Sequence, residues 1–449
     1  MNATEADAAW STGSPNDWKV DRLKDCLDSI VGGDWGDEPG SDVDGRDLVV
    51  LRVADFEQGS VKTEDLTVRA IKQSKIPHRL VTPRSLLIEK SGGGEKQWVG
   101  RVVYPGELSF ESICSNFIAK VELSRKYDAR FFNYLFSTLY DSEANRPHVR
   151  QTTGIQNLAV EHYLNTKVSL PLLPEQQRIA DYLDASCEAI DRAVETKQKQ
   201  LDTLDALRKS IIQKAVTQGL DPNVPMKDSG VEWLGPIPKH WSAKKLKRVF
   251  AEVDYGISES TEQEGNFAIL KMGNIVDGEI AFTKIEYVDE VPERLVLQTD
   301  DLLFNRTNSL DQVAKVAVFR GSKADRVSLA SYLVRLRTTH HNHPQYVNYL
   351  VNSERFLGLA RKMAIPSVQQ ANLNPTRYCR LEVPVPPLDE QEAIARYLDE
   401  RTKQIASVDG QLRKQIETLN AYRKSLIHEC VTGKRRISIA DLKKVQSHA

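Results

Sequence analysis

Five short strings contain the side chains that proteins use to contact DNA. Arg reads guanine, Asn and Gln read adenine, and Ser and Thr bond to either a base or a phosphate. The first half of the chain has such strings at 90–91, 96–97 and 150–157, and the second half has them at 305–308 and 367–372. Taken singly, each residue is more typical of a turn than of a base contact. The predicted DNA contacts are Lys90, Ser91, Lys96, Gln97, Gln151, Thr152, Gln156, Asn157, Lys245, Lys271, Asn305, Arg306, Thr307, Asn308, Gln369, Gln370 and Asn372.

A cluster of positive charge opens the second half of the chain. Such a run suits contact with phosphates, and it suits a solvated helix face equally well. The formal net charge of the chain is −1, so any basic surface is local and is balanced by acids elsewhere. The residues of the cluster are Lys239, His240, Lys244, Lys245, Lys247 and Arg248.

Patterns that indicate catalysis are missing. An amino-methyltransferase needs a [DNS]-P-P-[YFW] segment, and the nearest string, NPTR at 374–377, predicts a turn. The glycines at 92–94 do not continue as G-x-G-x-x-G, and Gly433-Lys434 lacks the earlier glycine of a P-loop. Histidines 340, 341 and 343 have neither cysteines nor paired carboxylates nearby in the sequence, so they predict a loop and no metal site. We expect a binding protein without catalytic residues.

The framework that must position these contacts occurs twice. The stretch 170–218 matches 385–433 without a gap at one constant shift of the numbering, which superposes Glu175-Gln176 on Glu390-Gln391. Each copy starts at a group of prolines, which break the preceding structure. Apolar residues then recur at three- and four-residue steps, which predicts one long helix in each copy. The apolar seam positions are Ile190, Val194, Leu201, Leu204, Ile211, Ile405, Leu412, Ile416, Leu419 and Leu426.

Each seam resembles that of a coiled coil. Polar residues interrupt it at Lys197, Arg208, Asp409 and Arg423, which weakens a free coil and helps to fix its register. Two similar seams on one chain most simply pack on each other. The alternative is that each helix pairs with a separate partner.

Composition limits the class of protein. A chain of 449 residues is too long for one core, so two or three domains are expected. The hydrophobic content of 40% and the charged content of 27% are ordinary for a globular protein. The five cysteines form no C-x-x-C pair, so they predict reduced thiols and neither disulfides nor zinc. No apolar run has membrane length and no export signal is recognised, which predicts a cytoplasmic protein.

The second half repeats the first half in order. Trp18 aligns with Trp241 and Asn133–Leu135 aligns with Asn348–Leu350, whereas the loops differ. A duplicated scaffold with unlike loops suits the reading of two versions of one kind of target. We predict a mixed α/β (α+β) fold with internal duplication. The predicted order is a tail (1–16), a first globular domain (17–172), a long helix (173–219), a linker (220–240), a second domain (241–385), a second long helix (386–434) and a tail (435–449).

Short elements can be predicted within the first domain. Apolar, β-branched runs at Val49–Val53, Leu86–Ile88 and Val99–Val103 predict strands. The aromatic run Arg130–Tyr140 has a helical repeat, so it predicts a helix packed on the sheet. The linker is rich in proline and glycine and is predicted to be irregular, while its Trp233, Leu234 and Ile237 predict that it is pinned to a surface.

The order of domain, long helix, domain and long helix resembles the specificity (S) subunit of type I restriction-modification systems. The strings that carry the resemblance are LPLLPEQQRIADYLD and VPVPPLDEQEAIARYLD, and the passage RKSIIQKAVTQGLDPNVPMKDSGVEWLGPIPKHW is similar to the family's passage into the second domain. The resemblance covers nearly the whole chain. The recognition loops vary widely within that family, so they add little to it.

The resemblance implies two target recognition domains, each reading one half of a split asymmetric DNA site in double-stranded DNA. It implies that the two long helices run antiparallel, set the spacing and dock two methyltransferase (M) subunits. Those partners would carry S-adenosylmethionine and methylate adenine N6, and motor-nuclease (R) subunits with ATP and Mg²⁺ would complete the complex. This chain would bind no cofactor itself.

Two other classes of function remain open from the sequence. An adaptor of the same build could serve another defence or recombination assembly, and a coiled-coil scaffold could recognise protein instead of DNA. A specificity subunit is distinguished from both classes by binding to duplex DNA that occurs only at a bipartite sequence and that weakens steeply as the salt concentration rises.

Overall fold

The computed structural model describes residues 14–41, 44–57, 59–94, 97–152, 154–368 and 370–447. It divides into two compact units. Unit 1 holds the residues up to Lys197 and those from Lys414 onward, and unit 2 holds Gln198–Arg413. Each unit contains one globular domain, called domain 1 or domain 2, and part of both long helices. The mixed α/β architecture with two long helices is the predicted one.

The helices and strands have the following bounds. The α-helices are α1 (Ile76–Arg79), α2 (Ala129–Asp141), α3 (Val160–Tyr163), α4 (Leu173–Gln218), α5 (Pro344–Val351), α6 (Glu354–Lys362), α7 (Pro375–Tyr378), α8 (Leu388–Val431) and α9 (Ile439–Gln446). The strands of domain 1 are β1 (Lys19–Arg22), β2 (Leu27–Gly32), β3 (Gly45–Leu51), β4 (Val68–Lys72), β5 (Ser85–Glu89), β6 (Ser91–Gly92), β7 (Val102–Val103), β8 (Ser112–Cys114), β9 (Ile118–Leu123), β10 (Val149–Thr152), β11 (Ile155–Leu158) and β12 (Lys167–Leu170).

Unit 2 starts with a linker hairpin, which is followed by domain 2. The strands of the linker are β13 (Met226–Asp228) and β14 (Pro236–Pro238). Those of domain 2 are β15 (Ser242–Lys245), β16 (Phe250–Tyr255), β17 (Phe267–Leu270), β18 (Ile275–Val276), β19 (Glu279–Ile280), β20 (Glu286–Val288), β21 (Leu302–Asn305), β22 (Thr307–Asn308), β23 (Val316–Val318), β24 (Val327–Leu329), β25 (Leu333–Thr338), β26 (Ile365–Ser367), β27 (Gln370–Asn372) and β28 (Glu382–Val385).

The two domains share one topology. An antiparallel sheet has the order β2-β9-β5-β7 in domain 1 and β16-β25-β21-β23 in domain 2, where β19 and β18 extend it. A second sheet places its central strand antiparallel to one neighbour and parallel to the other, as β4-β3-β8 and as β20-β17-β24. A third, antiparallel sheet is β6-β11-β10 or β22-β27-β26. A last pair, β1-β12 or β15-β28, closes each domain before its long helix. The internal duplication therefore extends to strand order and direction.

Each core combines domain and long-helix side chains. β5 and β9 are buried at every position, and their apolar residues Leu86, Ile88 and Val121 belong to the main core cluster of unit 1. In unit 1 the main cluster joins α2 to residues of α4 and α8. In unit 2 it joins α5 and α6 to residues of the same two helices. Among the described residues, no helix combines the length and the apolar character needed to cross a membrane.

The two long helices pack against each other and run antiparallel. In unit 1 the Asp191 carboxylate lies 3.7 Å from the Arg423 guanidinium. Further along α4, Lys197 Nζ donates to Gln415 Oε1 at 2.6 Å, so the α8 partner number falls as the α4 number rises. Two of the predicted polar seam residues therefore bond across the pair. The ten apolar seam positions are all buried or half-buried.

A buried glutamine joins each domain to its long helix. In unit 1, Gln176 Oε1 accepts the Asp128 N–H at 3.0 Å and Gln176 Nε2 donates to the Pro171 carbonyl at 2.9 Å. In unit 2, Gln391 accepts the N–H of His343 at 2.9 Å and donates to the Pro386 carbonyl at 2.9 Å. Asp128 and His343 directly precede α2 and α5. In each unit, therefore, one glutamine amide at the start of the long helix bonds to the start of a domain helix and to the segment that follows the last strand.

A tyrosine and an aspartate repeat this connection further along each long helix. Tyr134 donates to Asp184 Oδ1 at 2.8 Å, and Tyr349 donates to Asp399 Oδ1 at 2.7 Å. Burial raises the pKa of Tyr349 to about 12, so this hydroxyl keeps its proton at neutral pH. The two connections fix the direction in which each domain projects from its helices.

The structure corrects several details of the sequence prediction. The strand predicted at Val49–Val53 ends at Leu51 because a 3₁₀ turn starts at Val53. Of the segment Val99–Val103 only the last two residues form a strand. The linker predicted as irregular contains the β13–β14 hairpin.

The linker is nevertheless held on a surface. Leu234 and Ile237 are buried, and Trp233 Nε1 donates to the Glu382 carbonyl at 3.0 Å. At the other end of the chain, Arg436 pairs with Asp17 at 2.8 Å and with Glu175 at 3.1 Å. The basic C-terminal segment is therefore bound to the start of domain 1 and of α4.

We expect Gln391→Ala to lower the free energy of unfolding by about 2–4 kcal/mol, because a buried N–H or carbonyl that loses its partner costs about 1–3 kcal/mol. Chemical denaturation of the full chain measures this. Gln404→Ala is the matched control, since Gln404 is an exposed glutamine of the same helix, and its effect should stay within about 0.5 kcal/mol. Equal effects for the two variants would contradict the role given to Gln391.

Candidate nucleic-acid interface

The third sheet of each domain brings together most of the predicted DNA contacts. In domain 1, β6 carries Ser91 and β11 carries Asn157, which are opposite each other in the ladder. In domain 2, β22 carries Thr307 and β27 carries Asn372, which are likewise paired. Segments that are far apart in the sequence are thus adjacent in each domain.

A hydroxyl and an asparagine are hydrogen-bonded at the same place in both sheets. Ser91 Oγ donates to Asn157 Oδ1 at 2.7 Å. Asn372 Nδ2 donates to Thr307 Oγ1 at 3.0 Å. The bond fixes the plane of each amide. In domain 1 it leaves Asn157 Nδ2 for a further partner, and in domain 2 Asn372 Oδ1 accepts a bond from Arg306. Such an amide can pair with the edge of an adenine.

A basic residue precedes each hydroxyl and is anchored in the same way. The Lys90 N–H donates to the Phe117 carbonyl at 2.9 Å, and the Arg306 N–H donates to the Tyr332 carbonyl at 3.1 Å. The backbone carbonyl of each basic residue also accepts an N–H. The Lys90 carbonyl accepts it from Leu158, and the Arg306 carbonyl accepts it from Leu373. The backbones therefore hold the two cations in equivalent positions.

The side chain of Arg306 is held by neutral groups. Its Nη2 donates to Asn372 Oδ1 at 3.3 Å and its Nη1 to the Ser331 carbonyl at 3.4 Å. Its guanidinium carbon lies 5.2 Å from the ring centre of Tyr255, a cation–π contact. In domain 1, Lys90 Nζ lies beside Gly32, a residue without a side chain. Neither cation is paired with a carboxylate in the part of the chain that the structure describes.

A third position completes a row across each sheet. Arg150 on β10 is opposite Asn157, and Ile365 on β26 is opposite Asn372. Because cross-strand partners project from the same face, the row reads Ser91, Asn157, Arg150 in domain 1 and Thr307, Asn372, Ile365 in domain 2. Arg150 and Ile365 are both exposed.

Some predicted contacts serve the fold instead. Gln156 is 3% exposed, and its Oε1 accepts the Val99 N–H at 3.0 Å, so it holds the preceding loop and faces away from solvent. Asn305 is 1% exposed because it lies on β21, inside the main sheet of domain 2. Thr307 is also buried, and its hydroxyl is used by Asn372. Strand alternation turns Gln156 inward on β11, whereas β21 is buried along its whole length. Thr307 stays in the row as the buried hydroxyl that orients Asn372.

Two predicted lysines lie on other parts of domain 2. Lys271 Nζ lies 2.5 Å from Glu286 Oε2 and 2.9 Å from the Thr261 hydroxyl. The hydrogen bonds that Glu286 accepts from Lys271 and from Thr261 hold the pKa of its carboxyl below the ordinary value. Lys271 follows β17 in a different sheet and its charge is already paired. Lys245 ends β15, opposite Glu382, at the closing pair before α8.

The remaining predictions have mixed outcomes. Gln97 forms an isolated bridge with Gly94 next to β6. Gln151, Asn308 and Gln370 lie on the strands of the two third sheets, where Gln151 and Gln370 are exposed. Lys96 and Gln369 lie outside the described residues, as does the side chain of Thr152.

The sequence prediction missed several side chains around the row. Phe117 and Tyr332 are 46% and 47% exposed, and each supplies the carbonyl that anchors the neighbouring cation. Their spacing in the sequence equals the shift that superposes Glu175 on Glu390 in the helix repeat, which is the signal that could have identified them. Ile365 was missed because an apolar residue in a polar string is usually assigned to the core.

Comparisons with known proteins agree on one family. A model for the type I restriction modification DNA specificity domain matches residues 15–204 and 238–418, more than half of the chain. The putative type I restriction enzyme MjaX specificity subunit of Methanocaldococcus jannaschii is 28% identical over 44% of this chain and 47% of that protein. The MjaVIII specificity subunit of the same organism is 26% identical over 74% of this chain and 76% of that protein.

A solved structure has the same fold. It was determined to explain complex assembly and conformational transition of the type I R-M system, and one of its chains aligns with a TM-score of 0.71 at 16% identity. The alignment covers 94% of this chain and 99% of that one.

Proposed function

The chain belongs to the specificity subunits of type I restriction-modification systems, and from this premise we propose that each of its domains reads one half of a split, asymmetric DNA site. It is a non-catalytic component of the complex, and the DNA sequence that the complex recognises depends on it. The domains proposed for readout are 17–172 and 241–385, and the remaining segments connect them.

One observation supports this proposal above the others. The third sheets of the two domains carry an equivalent hydroxyl–asparagine bond, an equivalently anchored cation and an exposed outer residue. Amides, hydroxyls and cations without carboxylate partners are the groups that contact base edges and phosphates. We propose Lys90, Ser91, Asn157, Arg306, Asn308, Gln370 and Asn372 as DNA contacts, together with Arg150, the first residue of the predicted string 150–157, and Ile365, which is added from the structure.

The long helices are proposed to set the spacing and to dock the partners. Each helix contributes residues to both units, so a change in helix length acts on both. The partners would be two methyltransferase subunits that carry S-adenosylmethionine and methylate adenine N6, and motor-nuclease subunits that use ATP and Mg²⁺. This chain would contribute the sequence specificity and bind no cofactor.

Exchange of one domain tests independent readout. Replacing Trp18–Leu170 with the corresponding segment of a relative should change one half of the methylated sequence and keep the other, because each domain has its own core and its own row. Sequencing of methylated adenines in cells that express the complex measures both halves. A change in both halves would contradict the proposal.

Arg306→Ala tests the contact surface of domain 2. If Arg306 contacts a base, the variant should lose about 1–3 kcal/mol of discrimination at one position of one half-site. If it contacts a phosphate, all sequences should bind more weakly, and the slope of log K against log salt should fall by about one. Titrations of the assembled complex with duplexes at several salt concentrations measure both quantities.

Arg326→Ala is the matched control for this experiment. Arg326 also lies over an aromatic ring, that of Phe267 at 6.0 Å, but it precedes β24 in the second sheet. Its replacement should leave specificity and salt dependence as they are. An Arg306→Ala complex that keeps its affinity, specificity and salt slope would exclude Arg306 from the interface.

A matched insertion in both helices tests the spacing. Four residues added near Thr203 and near Thr418 lengthen each helix by about 6 Å and rotate its end by about 40°. DNA advances ~3.4 Å and about 35° for each base pair. The expected site has the same two halves separated by one or two more unspecified base pairs.

Seven residues at the same places provide the comparison. They keep the apolar seam in register but add ~10 Å with little rotation, so the half-sites would be out of phase and methylation should fall. Four residues disturb the seam locally as a stutter. An active four-residue variant with an unchanged spacer would show that the helices do not set the distance.

A further inference from the structure

At the outer position of the row the two domains present side chains of different chemistry. Arg150 and Ile365 are related by the same sequence shift as the two copies of the long helix. Both are opposite an asparagine that is hydrogen-bonded to a hydroxyl. One domain therefore presents a cation and the other an aliphatic side chain at the same point of the same framework.

The surroundings of Ile365 favour a ligand over the core. It is 58% exposed, although isoleucine is among the residues most often buried. It lies on an outer strand, whose other edge has no neighbouring strand in the sheet. The hairpin 365–372, IPSVQQAN, contains no charged residue. Because 27% of the residues of the chain are charged, a segment of eight residues without any charge is distinctive. Its surface suits a partner that presents neutral groups and a methyl group.

The paired strands β10 and β11 of domain 1 have the register of β26 and β27 but a different charge. The corresponding segment is 149–158. Its sequence, VRQTTGIQNL, lacks acids and has Arg150 as its one charged residue. Arg150 is exposed and has no carboxylate partner among the described residues. Its guanidinium is therefore available to an external acceptor.

We propose that this position determines specificity in both half-sites, with Arg150 reading a guanine and Ile365 contacting the methyl group of a thymine. The proposal rests on the proposed function, in which each domain reads one half-site. A two-stranded ribbon fits the major groove, where guanine presents O6 and N7 and thymine presents its C5 methyl group. Arg bonds to guanine O6 and N7, and an aliphatic side chain packs against the thymine methyl group.

Base analogues in duplexes test the two contacts one atom at a time. Once the methylated sequence has been mapped, each thymine of the domain 2 half-site is replaced by uracil, which lacks only the methyl group. One replacement should weaken binding by the complex about four-fold, the value of one buried methyl or methylene group. The Ile365→Ala complex should bind the thymine and uracil duplexes equally.

The same design applies to domain 1. Replacement of one guanine by 7-deazaguanine removes the N7 acceptor and should weaken binding by the native complex. The Arg150→Ala complex should not distinguish the two duplexes. In a second arm, Ile365→Arg should abolish the preference for thymine over uracil, and Arg150→Ile should abolish the sensitivity to 7-deazaguanine.

Val276→Ala is the matched control, since Val276 is an exposed β-branched residue on β18, in another sheet of domain 2. It should keep the native response to uracil. The inference would be overturned if the complex bound its bipartite site normally but no uracil replacement had an effect that depends on Ile365 and no 7-deazaguanine replacement had an effect that depends on Arg150. That outcome would leave the proposed function intact. Loss of bipartite binding by the native complex would instead overturn the proposed function.

Discussion

The buried glutamine at the start of each long helix is the contact on which the positioning of the domains depends. A long helix has a fixed length per residue, but it fixes the position of a domain only if the contact between helix and domain is rigid as well. Gln176 and Gln391 supply that joint, because each satisfies buried backbone groups from a helix start and from the segment that follows the last strand. The proline-rich segment before each helix leaves backbone carbonyls without strand partners, and the glutamine amide meets one of them.

The duplication distinguishes the shared framework from the proposed DNA-contact surface. The two domains repeat strand order, the glutamine contact, the tyrosine–aspartate bond and the backbone anchors of the cation. Exposed side chains differ between them, among them Arg150 and Ile365 at the same position of the row. Exposed substitutions usually change stability by less than about 0.5 kcal/mol. A change of specificity at these positions can therefore occur without a change in the fold.

The sequence predicted the features that periodicity and repetition encode. The long helices, their pairing, the mixed fold and the two-domain order follow from a gapless internal repeat and from a helical seam. The site was predicted less well, because the side-chain types of a base contact are also those of a turn. Gln156 and Asn305 belong to the predicted strings, but strand alternation turns Gln156 inward and Asn305 lies on a strand that is buried along its whole length. Other errors arise from tertiary contacts that no local pattern reports. Lys271 is paired with Glu286 from a neighbouring strand. Ile365 could be placed in the row only from its pairing with Asn372 in the sheet.

Charge placement explains how a chain with a net charge of −1 can present cations to DNA. Arg335, in the main sheet of domain 2, is 1% exposed and is paired with Asp254 at 2.6 Å and with Glu252. A guanidinium held in this way would have to give up its ion pairs and leave the sheet before it could bind a phosphate or a base. Arg306 is held by an amide, a carbonyl and an aromatic ring instead. These neutral partners orient the guanidinium without neutralising it, so its charge remains available to a ligand. In domain 2 these acids stabilise the core sheet, and the row across the third sheet keeps a cation without a carboxylate partner, as the proposed contact with DNA requires.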